Sequence, residues 1–312
     1  MRSRLPLLLV IWIAACGEGS ASPSETAVPQ RIADGVYVFP GRPEAPSPRN
    51  GGVVANVGLI VAREGVIVIG TGANDSDAQR LLRAIARLTA KPVVLAINTY
   101  AGPEHVLGNA AFARLGIPIL AHRETDNFMV YNCATCIRNQ KAETGDAQLQ
   151  EDAFARPSRL IDGPTRLAIG GRDIEIMHFG WTHQPGDIAV FDHASGVLFA
   201  GAMVSLDVLP DAHTADADAW IGALERLQAL PMKTVVPARG PVSPKTRIAE
   251  VIQYLRELRE ATRAAYAKGI GIREAAQSVT TPRYSRWAMY DTLQRRNVHH
   301  LYLKLEVREL AN

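Results

Sequence analysis

Two short stretches concentrate side chains that can move protons or hold a metal. The first runs Asn98-Thr99-Tyr100-Ala101-Gly102-Pro103-Glu104-His105-Val106-Leu107-Gly108-Asn109, the second Gly180-Trp181-Thr182-His183-Gln184-Pro185-Gly186-Asp187. His105 and His183 can each act as general base or acid, or give a ring nitrogen to a metal, because imidazole changes charge near neutrality. Glu104 adds a carboxylate suited to either task. Neither stretch holds an evident activated Ser or Cys, so a covalent intermediate is not indicated. A third candidate is Cys133-Ala134-Thr135-Cys136. In an oxidising compartment such a pair reads first as a local disulfide, with thiol–disulfide exchange or metal binding as alternatives. Covalent haem attachment would need His after the second Cys, where Ile137 stands. His122, His178, His193 and His213 read as single structural histidines, and Trp181 as a packing residue or pocket wall.

The elements that must position these groups follow from periodicity. β-Branched runs at Val36–Phe39, Val53–Val61 and Val66–Ile69 predict strands, with Gly51-Gly52 and Arg63-Glu64-Gly65 as turns. Ala78, Leu81, Leu82, Ile85 and Leu88 recur at helical spacing behind an Asn/Asp/Ser cap region, predicting a helix over Asp75–Leu88. A strand at Pro92–Asn98 then leads into the first polar stretch, a helix at Val106–Leu115 and a strand at Ile117–Leu120. Glu124–Leu149 reads as one helix carrying both cysteines. Strands at Arg166–Ile169, Ile174–His178, Asp187–Phe191 and Val197–Ala200 precede a helix at Asp218–Leu230 and a strand at Thr234–Pro237. Strands and helices thus mix in one layered α/β unit. From Lys245 onward the chain reads as nearly all helical: Ile248–Lys268, Ile272–Ser278 and Tyr290–Leu310. That tail is expected to be an added layer without a site of its own.

The chain has 312 residues, 47% hydrophobic and 21% charged, which excludes wholesale disorder. Its formal charge is +3, too small to draw in nucleic acid by field alone. No stretch beyond the leader is apolar over the ~18 residues a membrane span needs. Arg2 and Arg4 precede an apolar run from Leu5 to Ala15, the shape of a secretory signal over residues 1–15. The run ends Ile13-Ala14-Ala15-Cys16, which resembles a bacterial lipobox, so Cys16 is expected to carry lipid. Gly17–Gln30 is rich in Ser, Pro, Glu, Gly and Ala and reads as a tether. A periplasmic, lipid-anchored protein follows, with the outer membrane favoured by Gly17 after the Cys.

The stretches resemble, in order, the pattern of the metallo-β-lactamase fold superfamily: Asn-Thr-His-x-His-x-Asp-His-x-x-Gly-Asn, Gly-x-Thr/Ala-His-x-x-Gly-Asp, Phe-x-Gly-Asp and Val-x-Pro-Gly-His-Gly. Here they read Asn98-Thr99 to Gly108-Asn109, Gly180 to Asp187, Leu198-Phe199-Ala200-Gly201-Ala202 and Val235-Val236-Pro237-Ala238-Arg239-Gly240. The resemblance covers roughly residues 31–245 and implies a four-layer αββα sandwich with its site along one edge, followed by a C-terminal helical extension over 246–312. Within it the chain is most similar to the quinoprotein relay system zinc metallohydrolases. That likeness is carried by the CxxC with Ile137 and a helix reaching Gly145, by Val197–Gly201 leading to the helix at Asp218–Leu230, and by the tail Arg296-Asn297-Val298-His299-His300-Leu301-Tyr302-Leu303-Lys304-Leu305-Glu306.

The departures from the pattern bear on chemistry. Tyr100 and Gly102 stand where the resemblance implies the first two His ligands. Glu104 replaces Asp, Ala202 replaces the carboxylate that would bridge two metals, and Arg239 replaces the last His. One half-site would then draw on Tyr100, Gly102 and His183, the other on Glu104, His105, Ala202 and Arg239. Catalytic zinc takes three protein ligands and a water, and neither half-site supplies three good donors. The expectation is no cofactor, or zinc at low occupancy on His105 and His183. Arg239 is expected to supply positive charge in its place, paired with Glu104. The function expected is a non-hydrolytic ligand- or partner-binding accessory of a periplasmic PQQ-dependent dehydrogenase or cytochrome system, without nucleic acid and with the oligomeric state open. The alternative is an active hydrolase of an ester or thioester, using a reduced metal site or His105, His183 and Glu104 as acid and base. A third reading makes the CxxC the working part.

Overall fold

The computed structural model describes residues 28–150 and 154–310; the expected leader, Cys16 and most of the tether lie outside these. Two mixed sheets face each other. The first has seven strands in chain order: β1 (Gln30–Ala33), β2 (Val36–Phe39), β3 (Val57–Val61), β4 (Val66–Ile69), β5 (Val93–Ile97), β6 (Ile119–His122) and β7 (Arg159–Ile161). β1 to β4 pair antiparallel, and the β4–β5, β5–β6 and β6–β7 pairs are parallel. The second sheet has the order β13 (Ser243–Pro244), β12 (Thr234–Val236), β11 (Val197–Phe199), β10 (Ile188–Asp192), β9 (Arg172–His178) and β8 (Thr165–Ile169). Only β11–β12 is parallel there.

Between the sheets lies a core of β-branched and aromatic side chains, among them Val36, Ile60, Ile67, Ile97, Ile176, Val190 and Phe199, all buried. These residues come from alternate positions of their strands, so the opposite faces are left for the helices. On the outer face of the first sheet, α1 (Asp75–Leu88) and α3 (Asn109–Arg114) bury Leu81, Ile85 and Phe112 against Leu59, Val66 and Val68. Asn74 caps α1 by accepting from the Asp77 amide at 2.8 Å. On the outer face of the second sheet, α5 (Ala217–Ala229), α6 (Ile248–Ala267), α7 (Ile272–Ser278) and α8 (Tyr290–Leu310) pack around Trp220, Tyr254 and Leu255. The αββα sandwich with its C-terminal helices is therefore the architecture of the described residues.

Local differences from the sequence reading have physical causes. The helix expected over 106–115 is two pieces, α2 (Pro103–Val106) and α3, because the Gly108 amide turns aside to donate to the Gly72 carbonyl at 3.1 Å. The helix expected to reach Leu149 is α4 (Arg123–Thr144); it stops at Gly145, whose φ of 68° is left-handed and satisfies the Lys141 carbonyl. The expected Cys133–Cys136 disulfide is absent: both are free thiols on α4. Residues three apart on a helix hold their Cβ atoms ~5–6 Å apart, beyond the ~3.8 Å of a disulfide. Cys133 joins a small core with Val106, Leu107, Met129 and Ile137. Burial pushes its thiol up to about 12 and raises Cys136 as well, so neither is a ready thiolate.

Candidate functional site

The chain ends of β5, β11 and β12 and the loop entering β10 meet along one edge of the sandwich. The Asn98 and Asn109 side chains exchange hydrogen bonds at 3.1 and 2.9 Å, and Thr71 adds another to Asn109, so the first polar stretch is braced against its own helix. In the second stretch Asp187 Oδ2 accepts from the Thr182 hydroxyl and the Gln184 amide, both at 2.8 Å. The Gln184 side chain then accepts from the Ala101 amide at 3.2 Å, tying the stretches together. Asn56 donates to the Pro237 and Gly240 carbonyls at 2.9 Å each and fixes the turn that carries Arg239.

This edge opens on a cavity of about 270 Å³. Tyr100, Gly102, Glu104, His183, Ala202 and Arg239 all line it, so six of the sequence-chosen residues come together. Tyr100, 2% exposed, packs with Ala202 and Ala238. Its hydroxyl donates to Glu104 Oε1 at 3.2 Å, and Arg239 Nη2 donates to the same oxygen at 3.2 Å. The expected Arg239–Glu104 pair is thus formed, with side chains 18% and 11% exposed. Burial, the largest influence, pushes Glu104 up, but the Arg239 charge outweighs it together with hydrogen bonds, and the carboxyl lies below its ordinary range. Burial and the facing Glu104 carboxylate raise the Tyr100 hydroxyl well above its ordinary value.

His105 is placed differently from the expectation. It does not line the cavity: Tyr100 stacks over its ring, centroids 4.4 Å apart. Its Nε2 accepts from the Thr99 amide at 3.0 Å, and burial drops its pKa to about 4. His183 keeps its place on the wall, edge-on to Tyr100 at 6.2 Å and to Trp220 at 5.5 Å, with Nδ1 3.7 Å from Asp187 Oδ2 and without a hydrogen-bond partner among the described residues. Trp181 is 53% exposed and donates to the Thr214 carbonyl rather than forming the pocket wall.

Other lining residues had no site role in the sequence reading. His213 reads as a structural loop histidine but lies on the cavity, where burial and the nearby His183 and Lys304 lower it to about 4. The helical tail, expected to carry no site, supplies Met289, Leu293 and Arg296. Arg296 pairs with Asp211, which also lines the wall. Asn297, fully buried, accepts from the Ala212 amide at 2.8 Å and donates to the Pro210 carbonyl and Tyr254 hydroxyl, holding the loop that presents Asp211 and His213. The unassigned tail residues Arg296 and Asn297 lay in a motif quoted only for resemblance; no periodic signal marks the 207–215 loop.

The sequence profile described as Metallo-beta-lactamase superfamily matches residues 50–239. The chain belongs to this superfamily. A curated relative, the linear primary-alkylsulfatase of Pseudomonas sp. (strain ATCC 19151), is 23% identical over 233 residues, which are 64% of this chain and 44% of that protein. This chain therefore spans less than half the length of that relative. Among solved structures, a metallo-beta-lactamase from Pontibacter korlensis aligns with a TM-score of 0.60 at 22% identity, over 73% of this chain and 98% of that one. A double mutant of the sec-alkyl sulfatase PisA1 aligns with a TM-score of 0.69 at 17% identity, over 89% of this chain and 50% of that one. A coverage of 89% takes in part of the C-terminal helices, so they too have a counterpart in fold.

Superfamily members normally bind zinc. Among the described residues no three His, Cys, Asp or Glu gather as metal ligands. Chemistry points the same way. The Tyr100 phenol is pushed away from its anionic form, Nε2 of His105 is taken by the Thr99 amide, and a guanidinium stands at position 239. A permanent cation beside a divalent one is repelled and cannot deprotonate to relieve the repulsion. This donor set does not fit zinc.

Proposed function

We propose that this protein is an exported, lipid-anchored member of the superfamily that binds a small ligand at the sandwich edge and does not hydrolyse it through zinc. The observation that carries the proposal is the packing of Tyr100, whose ring and hydroxyl engage Ala202, Glu104 and, through Glu104, Arg239. Those are positions at which the superfamily pattern has metal ligands. The likeness to quinoprotein relay proteins supports a partner among periplasmic PQQ-dependent dehydrogenases or their cytochromes, and the lipobox supports attachment at the outer membrane. A second reading, hydrolysis of an ester-type substrate at a rearranged metal site, is favoured by the similarity to an alkylsulfatase.

The test is elemental analysis of the protein purified without chelator, beside turnover of chromogenic esters, thioesters, lactams and sulfate esters with and without EDTA. Zinc well below one equivalent and no EDTA-sensitive turnover are expected. Arg239→His is expected to stay short of one zinc, because Gly102 and Ala202 still bring no donor. Tightly held zinc with EDTA-sensitive turnover in the wild type would replace this proposal with the second reading.

A further inference from the structure

The cavity's polar lining is only partly satisfied from within. A guanidinium has five N–H donors in one plane. Arg239 gives one hydrogen bond to Glu104 through Nη2 and a weak one to the Met289 sulfur, 3.4 Å from Nη1; no other acceptor is recorded for it among the described residues. The Arg239–Glu104 pair is thus single-stranded rather than the two-bond fork that matches a guanidinium to a carboxylate. On α4, Gln140 also lines the cavity, is 2% exposed, and its Nε2 has no acceptor. Its Nε2 fills the space a Cβ at Gly52 would take, and a half-turn of the amide about its last bond carries the two N–H groups to the side its oxygen now occupies. Leaving a buried donor such as the Gln140 amide unmade costs about 1–3 kcal/mol, and the free N–H groups of Arg239 stand on the cavity wall, so a ligand that accepts from both has an advantage.

We infer that the cavity takes a small organic carboxylate, held by the open side of the Arg239 guanidinium and by the Gln140 amide. This rests on the reading of the cavity as a ligand site. Leu209, Met289 and Leu293 on the same lining give the acid an apolar seat for its hydrocarbon part. Charge on the walls weighs against a dianion. Arg239 and Arg296 face three carboxylates, Glu104, Asp211 and Glu143. Three like charges repel a phosphate dianion more strongly than a single carboxylate. A carboxylate can meet the guanidinium plane with two parallel bonds, as a phosphate also can, so the wall charge and not the fork discriminates between them.

The probes are acetate, hexanoate and benzoate, titrated into the metal-analysed wild-type protein by calorimetry. Hexyl sulfate, hexyl phosphate, hexylamine and hexanol are the comparison arms. At least one carboxylate should saturate one site, more tightly than every comparison arm. Arg239→Lys keeps a charge for Glu104 but loses the fork, and should weaken the carboxylate by about tenfold or more. Gln140→Leu, which removes no internal hydrogen bond of the side chain, should weaken it severalfold and keeps the inference testable if the lysine variant does not fold. No saturation by any carboxylate, equal binding of hexanol or hexylamine, preference for the sulfate or phosphate, or wild-type affinity in Gln140→Leu overturns it. Metal content separates the two levels: zinc-free protein that ignores carboxylates sinks this inference alone, whereas binding abolished by EDTA and restored by zinc sinks the proposed function.

Discussion

Replacing Arg239 with Met should be most costly at neutral pH and progressively less so in acid. The guanidinium is the main charge holding Glu104 ionised against its own burial, and both side chains are more than four-fifths buried. Removing one partner of such a pair leaves an uncompensated charge and costs about 3–5 kcal/mol. The sign of the pH dependence follows from linkage. In the wild type the depressed Glu104 pKa contributes stability above its ordinary value of 4.5, and that contribution is lost as pH falls through the folded value. In the variant, burial has lost its main opponent and the folded pKa rises relative to the wild type, so the variant carries a penalty at neutral pH that shrinks on protonation. The gap between the two proteins therefore narrows from both sides on acidification. Urea unfolding at pH 7.5 and at pH 4.5 measures it, and Arg239→Met with Glu104→Gln should regain most of the loss at pH 7.5 by removing the stranded charge. An equal gap at both pH values, or a double variant no better than the single, would refute the assignment of Arg239 as the counter-charge.

Other consequences are testable in the same way. The wild type should lose stability between pH 6.5 and about 4, because His105 is buried neutral with a folded pKa near 4, and a depressed histidine contributes stability that falls away below its ordinary 6.5; unfolding curves should show about 3 kcal/mol of this disappear in His105→Gln. Asn297→Ala should cost about 3 kcal/mol by stranding the Ala212 amide and the Pro210 carbonyl, while the Tyr254 hydroxyl keeps its bond to Gln294; urea melts read the cost, and the 209–213 loop should loosen to hydrogen exchange. Native protein treated with a thiol reagent at pH 8 should react slowly at Cys136 and more slowly still at Cys133; a Cys133–Cys136 disulfide recovered in a peptide digest of the air-exposed protein would contradict the helical geometry.

What was legible in the sequence was whatever repeated with a period or matched a motif. The central strands announce themselves because both faces are covered, giving unbroken runs such as Val66–Ile69 and Ile188–Phe191. β1 and β7 did not, since they are edge strands of four and three residues with exposed polar positions at Gln30, Arg31 and Arg159. Motif order located Tyr100, Glu104, His183 and Arg239 on one wall. It did not say which way the His105 ring turns, because spacing alone does not tell that Tyr100, five residues away, stacks on it. His213 and the tail residues were out of reach for another reason. Their convergence depends on a hydrogen bond between Ala212 and Asn297, 85 residues apart, and no local pattern encodes such a contact.

The substituted positions at the edge are not independent losses. A Cβ at position 102 would sit 2.3 Å from the Tyr100 ring, so any residue but glycine there displaces the tyrosine. The ring packs on Ala202, and a carboxylate side chain at 202 would enter that contact. The Tyr100 hydroxyl needs an acceptor in its buried setting, which Glu104 supplies, and Glu104 in turn needs the cation that Arg239 supplies. Each replacement thus makes the next one favourable, and reversing one alone meets a clash or an unpaired charge. Gly102→His in an otherwise unchanged chain should therefore destabilise the fold by driving out Tyr100, without gaining zinc. Only joint reversal at 100, 102, 202 and 239 offers a metal a full set of donors.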